Sequence, residues 1–233
     1  MSSVRTGWSS GRVVGAGILV ALAGICYSSW VLAFLFPTPL DPLRTFLSEL
    51  DAAHRPHREI YVVGDVLTAV FALIACALLV IPRPVTRGVP GLTAVISLGV
   101  FGAATLADVL SPIECIPHVD PGCPDQPNGL LPQLHHLHAL TSTVAVFAIF
   151  TTMVSACLAA YLTGVWPMMR TAGASVLVIV ALATVWMLVA DGLSGDYVLG
   201  LAQRIQVGGM TLWLILWGVA IAGEPRDRAA TGR

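Results

Sequence analysis

Six apolar runs of about 20 residues dominate the sequence and constrain its fold more than any other feature. A helix of that length crosses the roughly 30 Å hydrocarbon core of a bilayer, where only a helix satisfies its own backbone polar groups. The composition agrees, with 56% hydrophobic and only 11% charged residues and a mean hydropathy of +0.83. We predict an all-α, polytopic membrane helix bundle with six transmembrane helices at 13–36, 58–81, 91–110, 136–163, 172–190 and 198–222.

The arginines predict the orientation of this bundle, because cytoplasmic loops carry an excess of basic residues. Most of the arginines flank one face: Arg5, Arg12, Arg83, Arg87, Arg170, Arg226, Arg228 and Arg233. We therefore predict cytoplasmic termini, with an N-terminal segment at 1–12, a transmembrane domain at 13–222 and a disordered tail at 223–233. The outer loops 37–57 and 111–135 then face away from the cytoplasm, and we expect the chain in the cell membrane.

Two cysteines lie in the second outer loop, in the stretch CIPHVDPGC. Cys115 and Cys123 are eight residues apart in a predicted extracytoplasmic segment, where disulfides form and persist. We predict that they form a disulfide. A metal pair that includes His118 is the alternative.

The first outer loop has the pattern of an amphipathic helix. Asp41 is a suitable N-cap before Pro42, and the apolar residues that follow have helical spacing: Leu43, Phe46, Leu47 and Leu50. Such a helix would either cover the helix ends or close over a site.

Polar residues of five predicted helices fall at one depth, near the outer face: Arg58, Asp65, Asp108, His135, His138, Asp191 and Arg204. Helical spacing places Arg58 and Asp65 on one face of the second helix. It also places His135, His138 and Ser142 on one face of the fourth, whereas His136 points elsewhere. In one bundle these side chains can converge.

Charge balance sharpens this expectation. Asp65, Asp108 and Asp191 bring three negative charges, against two positive charges from Arg58 and Arg204. A site of low dielectric constant resists excess charge, so we expect a protonated carboxyl group, a histidinium or a bound cation. A structural ion-pair network is the alternative to a binding site.

A zinc site is a further alternative, with His135, His138, Asp65 and Asp108 as ligands. The two histidines have the spacing H-x-x-H, without the glutamate that makes H-E-x-x-H a protease motif. We expect no cofactor unless it is zinc.

The order of these features resembles a known family. The stretches LDPLRTFLSELDAAHRPHREIYVVGDVL, LADVLSPIEC and HHLHALTS are similar to the bacterial membrane proteins of domain of unknown function family 998. The most specific part is the Ser48–Glu49–Leu50 triplet with Asp65 downstream, which adds Ser48 and Glu49 to the predicted polar cluster. The outline is distantly similar to Frag/DRAM/Sfk-type membrane proteins. The resemblance implies a polytopic membrane protein and supplies no activity.

Three functions remain open at this point. A bundle that binds a lipid headgroup or a small ligand at its outer face, or that is only structural, is the first; membrane lipids are its expected partners. A zinc-dependent membrane hydrolase is the alternative, and a proton- or cation-coupled transporter is the third. The net charge of −1 gives no indication of nucleic-acid binding.

Overall fold

The computed structural model describes residues 3–80, 88–117, 119–124, 136–193, 195 and 197–231, and within these the side chains from Gly11 to Glu224. Six α-helices are present in these residues: α1 (Ser3–Cys26), α2 (Arg58–Val80), α3 (Gly88–Val109), α4 (Leu137–Thr163), α5 (Ala172–Asp191) and α6 (Leu199–Thr231). Short 3-10 helices occur at Ser29–Leu35, Leu47–Glu49 and Pro167–Arg170. The described residues contain no β-strand.

The described helices include six that are long and apolar enough to cross a membrane: Gly11–Leu35, Arg58–Val80, Gly88–Val109, Leu137–Thr163, Ala172–Asp191 and Leu199–Glu224. The predicted all-α bundle of six transmembrane helices is therefore confirmed, with bounds that agree to within three residues. The orientation of the termini and the division into 1–12, 13–222 and 223–233 stay predictions. Helix α6 continues to Thr231.

The helices follow one another around the bundle in the order α4, α3, α2, α1, α6 and α5. The 3-10 helix at Pro167–Arg170 contacts α4, α5 and α6 at one end. The opposite end carries residues 37–57, 111–117 and 119–124, and we call it the loop face. Helices α2, α4 and α6 begin there, and α3 and α5 end there.

Glycines allow α1 and α6 to touch along their backbones. A Cβ atom added to Gly218 would lie 2.5 Å from the nitrogen of Ala21 and 2.5 Å from the carbonyl oxygen of Gly17. No side chain fits in that space, so the glycines permit the close approach on which helix packing in membranes depends.

The core away from the loop face is filled by tryptophans. Trp166 and Trp217 pack edge to face with ring centroids 5.4 Å apart, and Trp213 lies 5.3 Å from Trp217. All three side chains are fully buried. The Asp, Glu and His side chains described below lie instead toward the loop face.

The first outer loop does not form the single helix that its pattern predicts. One turn closes where the Thr45 N–H donates to the carbonyl oxygen of Asp41, at 2.9 Å, and a 3-10 turn follows at Leu47–Glu49. Between them the Thr45 carbonyl accepts a hydrogen bond from Arg204 of α6 at 2.8 Å. The backbone of the loop therefore forms hydrogen bonds to α6 in place of the bonds of a continuous helix. Sequence periodicity could not predict this, because it does not show that α6 lies beside the loop.

The second outer loop contains the predicted disulfide, Cys115–Cys123. The same segment contacts the first loop twice. The Ala53 N–H donates to the carbonyl oxygen of Ile113 at 2.7 Å, and Arg55 forms an ion pair with Asp120 at 2.6 Å. The two outer loops therefore form one connected layer over the loop face. His118 lies outside the described residues.

Candidate functional site

Asp108, near the end of α3, accepts hydrogen bonds from the first turns of α4. Its Oδ1 lies 2.5 Å from the hydroxyl of Thr141 and 2.8 Å from that of Ser142, both of which donate. Nδ1 of His138 lies 3.3 Å from the same oxygen. These contacts join α3 and α4 at the loop face, in a region of low exposure.

The His138 ring lies between three oxygen atoms. Its Nδ1 is 3.1 Å from the carbonyl oxygen of Ser111, which only accepts, so a hydrogen on Nδ1 satisfies this contact. Its Nε2 is 3.4 Å from the hydroxyl oxygen of Ser142. Ser142, which donates to Asp108, therefore lies between that carboxylate and the imidazole ring.

Asp51 brings a second carboxylate to this group from the first outer loop. Its exposed fraction is only 7%, and its buried Oδ1 has no hydrogen-bond partner among the described residues. The pKa of Asp51 is raised to about 6, chiefly by burial; His138 and Arg58 lower it, and the charge of Asp108 acts in the same direction as burial. A buried, unpartnered carboxylate is costly, so this arrangement requires either a proton or a positive partner.

Asp65 of α2 is the third carboxylate. It is half-buried and interacts electrostatically with both Asp51 and Asp108. Tyr27, at the end of α1, is within electrostatic range of Asp65 and Asp108. Five parts of the chain therefore bring side chains into mutual electrostatic range: the first outer loop, Tyr27 just after α1, α2, α3 and α4.

Arg58, the first residue of α2, brings a positively charged guanidinium group to this region. Its Nε donates to the backbone carbonyl of Asp51 at 3.2 Å, and its charge acts on the Asp51 carboxylate. We call the group of Asp51, Asp65, Asp108, Arg58 and His138 the acid cluster. It contains three carboxylates, one guanidinium and one imidazole.

Arg204 makes a separate contact between α6 and the first outer loop, and Glu49 lies within electrostatic range of it. Arg204 donates through Nη1 to the carbonyl oxygens of Thr45 and Gly200, at 2.8 and 3.0 Å. Gln203, beside it, accepts from the N–H of Leu47 at 2.5 Å. These bonds fasten the loop to α6.

Glu49 lies in the same region, and one of its two carboxylate oxygens is buried without a hydrogen bond. Its Oε2 and the Nε of Arg204 are both buried and have no hydrogen-bond partner among the described residues. Burial raises the pKa of Glu49 to about 7 despite the nearby positive charges of Arg55 and Arg204, and Asp120 acts in the same direction as burial.

The structure brings together only some of the residues that the sequence places at this depth. Asp65, Asp108, His138 and Arg58 meet in the acid cluster, whereas Glu49 and Arg204 meet elsewhere. Ser48 lies in the 3-10 helix Leu47–Glu49. Asp191 is the last residue of α5.

The predicted zinc ligands include His135, which lies outside the described residues. Within the residues that the structure describes, no group of three or more His, Cys, Asp or Glu side chains is arranged to hold a metal ion. His136, in contrast, is exposed at the start of α4.

Sequence reasoning missed three residues of these contacts. Asp51 follows the predicted amphipathic segment of the first outer loop, and spacing within that loop could not place it against α3 and α4. Thr141 follows His138 by three residues, a spacing that could have identified it. Nothing in the sequence indicated a role for Gln203 except its position beside Arg204.

Six long apolar helices with a buried polar cluster at one end define a polytopic α-helical membrane protein. A family model described as "Protein of unknown function (DUF998)" matches residues 19–220, most of the chain, and the chain belongs to this family. The more distant likeness to Frag/DRAM/Sfk-type proteins and a bacterial source stay predictions. No match is found among curated proteins or among solved structures.

Proposed function

We propose that this protein binds a small cation in the acid cluster at its loop face, and that this face lies outside the cytoplasm in the cell membrane. The cation we propose is the ammonium group of a small amine, since no group of three or more His, Cys, Asp or Glu side chains among the described residues is arranged to hold a metal ion. The observation that carries the proposal is the carboxylate of Asp51, which is 7% exposed with an unpartnered oxygen, beside Asp65 and Asp108.

Charge balance supports a cation rather than an anion. Three carboxylates face one guanidinium and one imidazole, so the cluster is negative even when His138 is charged. A region of low dielectric constant does not hold such an excess without compensation. A bound cation supplies it, and protons supply it when the cation is absent.

The arginines do not support an anionic ligand. Arg58 directs its Nε to the backbone of Asp51, and Arg204 directs Nη1 to two backbone carbonyl oxygens. Both stabilise the first outer loop, and each lies near carboxylates. A phosphate at either arginine would face these carboxylates at short range.

A thermal-unfolding assay tests the proposal. The purified protein in detergent is titrated at constant ionic strength with Na⁺, K⁺, Ca²⁺, Zn²⁺, ethanolammonium or choline. A ligand that binds only the folded state stabilises it by about 2.7 kcal/mol at 100 times its dissociation constant. We expect a saturable rise in melting temperature with one class of cation, and its loss in Asp51→Asn.

The matched control is Glu114→Gln, which neutralises an exposed carboxylate at the same face. This variant should respond as the unsubstituted protein does. If no cation distinguishes the unsubstituted protein from Asp51→Asn, the cluster is a structural network and the proposal fails. A saturable response to Zn²⁺ alone would favour the zinc-dependent hydrolase.

A further inference from the structure

A groove runs along the outside of the bundle between α1 and α2. Its volume is about 600 Å³. One wall is formed by the end of α1 and the 3-10 helix after it, with Ile25 and Leu32; the other is formed by the first turns of α2, with Val63 and Leu67. The groove is open along its length, and its walls are apolar.

The groove exists because of how the two elements meet. Helix α1 ends at Cys26, and the chain continues as the 3-10 helix Ser29–Leu35. Gly64 of α2 packs directly on Ser29, since a Cβ atom at Gly64 would lie 2.5 Å from the Cβ of Ser29. This contact forms the floor, and the absence of a side chain at Gly64 allows the two elements to approach this closely.

The position of the groove matches one leaflet of a membrane. Glu59 lies in the first turn of α2, at the loop face, and Leu67 lies eight residues further along. At 1.5 Å per residue this is about 12 Å, within half of the roughly 30 Å hydrocarbon core. Val63, Leu67 and Ile25 are exposed apolar side chains in a membrane span. The groove therefore opens toward lipid chains.

Glu59 gives the groove a charged end. It is exposed and lines the groove at the level of the headgroups. The neighbouring Arg58 donates through its Nε to the backbone carbonyl of Asp51. Glu59 thus presents a negative charge above an apolar channel, which is complementary to a lipid with a positively charged headgroup.

We infer that this groove binds the acyl chain of a membrane lipid whose headgroup carries a primary amine, with the ammonium group at Glu59. The groove is separate from the acid cluster: Asp65 follows Val63 by two residues, about 200° around the helix, and faces the bundle interior. The inference goes beyond cation binding in the cluster.

Lipid retention tests it. The full chain is reconstituted into vesicles of phosphatidylethanolamine and phosphatidylglycerol in equal amounts with identical acyl chains, then extracted in detergent, and the retained lipids are counted by native mass spectrometry. We expect phosphatidylethanolamine to be enriched roughly two- to fivefold, the range that an exposed ion pair contributes. Retention of the two lipids in the bulk ratio would overturn the inference.

Two variants separate the headgroup from the groove. Glu59→Gln should return the lipid ratio to that of the vesicle, since it removes only an exposed charge. Val63→Trp should fill the groove and lower the retention of both lipids. Glu114→Gln and Asp51→Asn should change neither the lipid ratio nor the total amount of retained lipid. This result would show that lipid binding in the groove does not depend on the acid cluster. Unchanged enrichment in Glu59→Gln would contradict the assignment of the amine to Glu59.

Discussion

Oδ1 of Asp108 on α3 lies 3.3 Å from Nδ1 of His138 on α4, and the hydroxyl groups of Thr141 and Ser142 donate to the same oxygen. One carboxylate oxygen thus joins two helices through three side chains. Asp51 and Asp65 approach this contact from the first outer loop and from α2. The contact stabilises the bundle, and the three carboxylates together give the cluster its excess of negative charge.

Replacing Asp108 by alanine should destabilise the protein. The substitution removes the acceptor that Thr141 and Ser142 share. Thr141 keeps the carbonyl oxygens of Leu137 and His138 as acceptors, but a lost hydrogen bond to a charged group still costs about 1.5–3 kcal/mol. The melting temperature of Asp108→Ala in detergent should fall clearly below that of Glu114→Ala, which removes an exposed carboxylate. Equal melting temperatures would show that the α3–α4 contact contributes nothing.

Glu49 should make stability depend on pH. Its pKa is raised from an ordinary value of 4.5 to about 7, so the folded protein binds the proton more tightly than the unfolded chain does. Stability contributed by this proton is fully present below about pH 4.5 and is lost as the pH rises to about 7. The groups that face Glu49 are Arg55, Arg204 and Asp120.

The comparison is between the unsubstituted protein and Glu49→Gln, with melting temperatures measured from pH 4.5 to pH 7.5. The decline with rising pH should be smaller in Glu49→Gln, because glutamine does not titrate. Glu114→Gln is the control and should keep the full decline. Parallel curves for all three proteins would refute the role of Glu49.

Reduction of the disulfide should loosen the outer layer. A bridge of this loop length contributes about 2–3 kcal/mol by restricting the unfolded chain, and the segment that Cys115–Cys123 closes carries Asp120, the partner of Arg55. A reductant should lower the melting temperature and increase hydrogen exchange in residues 51–55. The same reductant should have no effect on the double variant Cys115→Ser/Cys123→Ser. A response of equal size in that variant would mean that the reductant acts elsewhere.

The contact between α1 and α6 should not tolerate a side chain. In Gly218→Val the new Cβ would meet backbone atoms of Ala21 and Gly17 at 2.5 Å, so the helices must separate. We expect a sharp loss of folded protein, measured as the monodisperse fraction after extraction. Gly15→Ala is the control, because a Cβ there meets nothing within 4 Å. Normal yields for Gly218→Val would show that the two helices are not in backbone contact.

The sequence predicts the helices better than it predicts the site. The six spans follow from hydrophobic length alone, since lipid leaves a backbone no alternative to the helix. The meeting of Asp108 and His138 follows from their shared depth and facing helices. Asp51 could not be predicted, because its position depends on a loop whose backbone bonds to α6 and to residue 113 instead of to itself. The separation of Arg204 from Asp65 likewise depends on which helices are neighbours, and periodicity does not show this.

Equilibrium binding of a radiolabelled cation, taken from the class that stabilises the protein, tests the central claim most directly. The purified protein is compared with Asp51→Asn and with Glu114→Gln at constant ionic strength and pH. We predict one saturable site in the unsubstituted protein and in Glu114→Gln, and its loss in Asp51→Asn. The same saturable binding in all three proteins would contradict the assignment of the cation to the acid cluster.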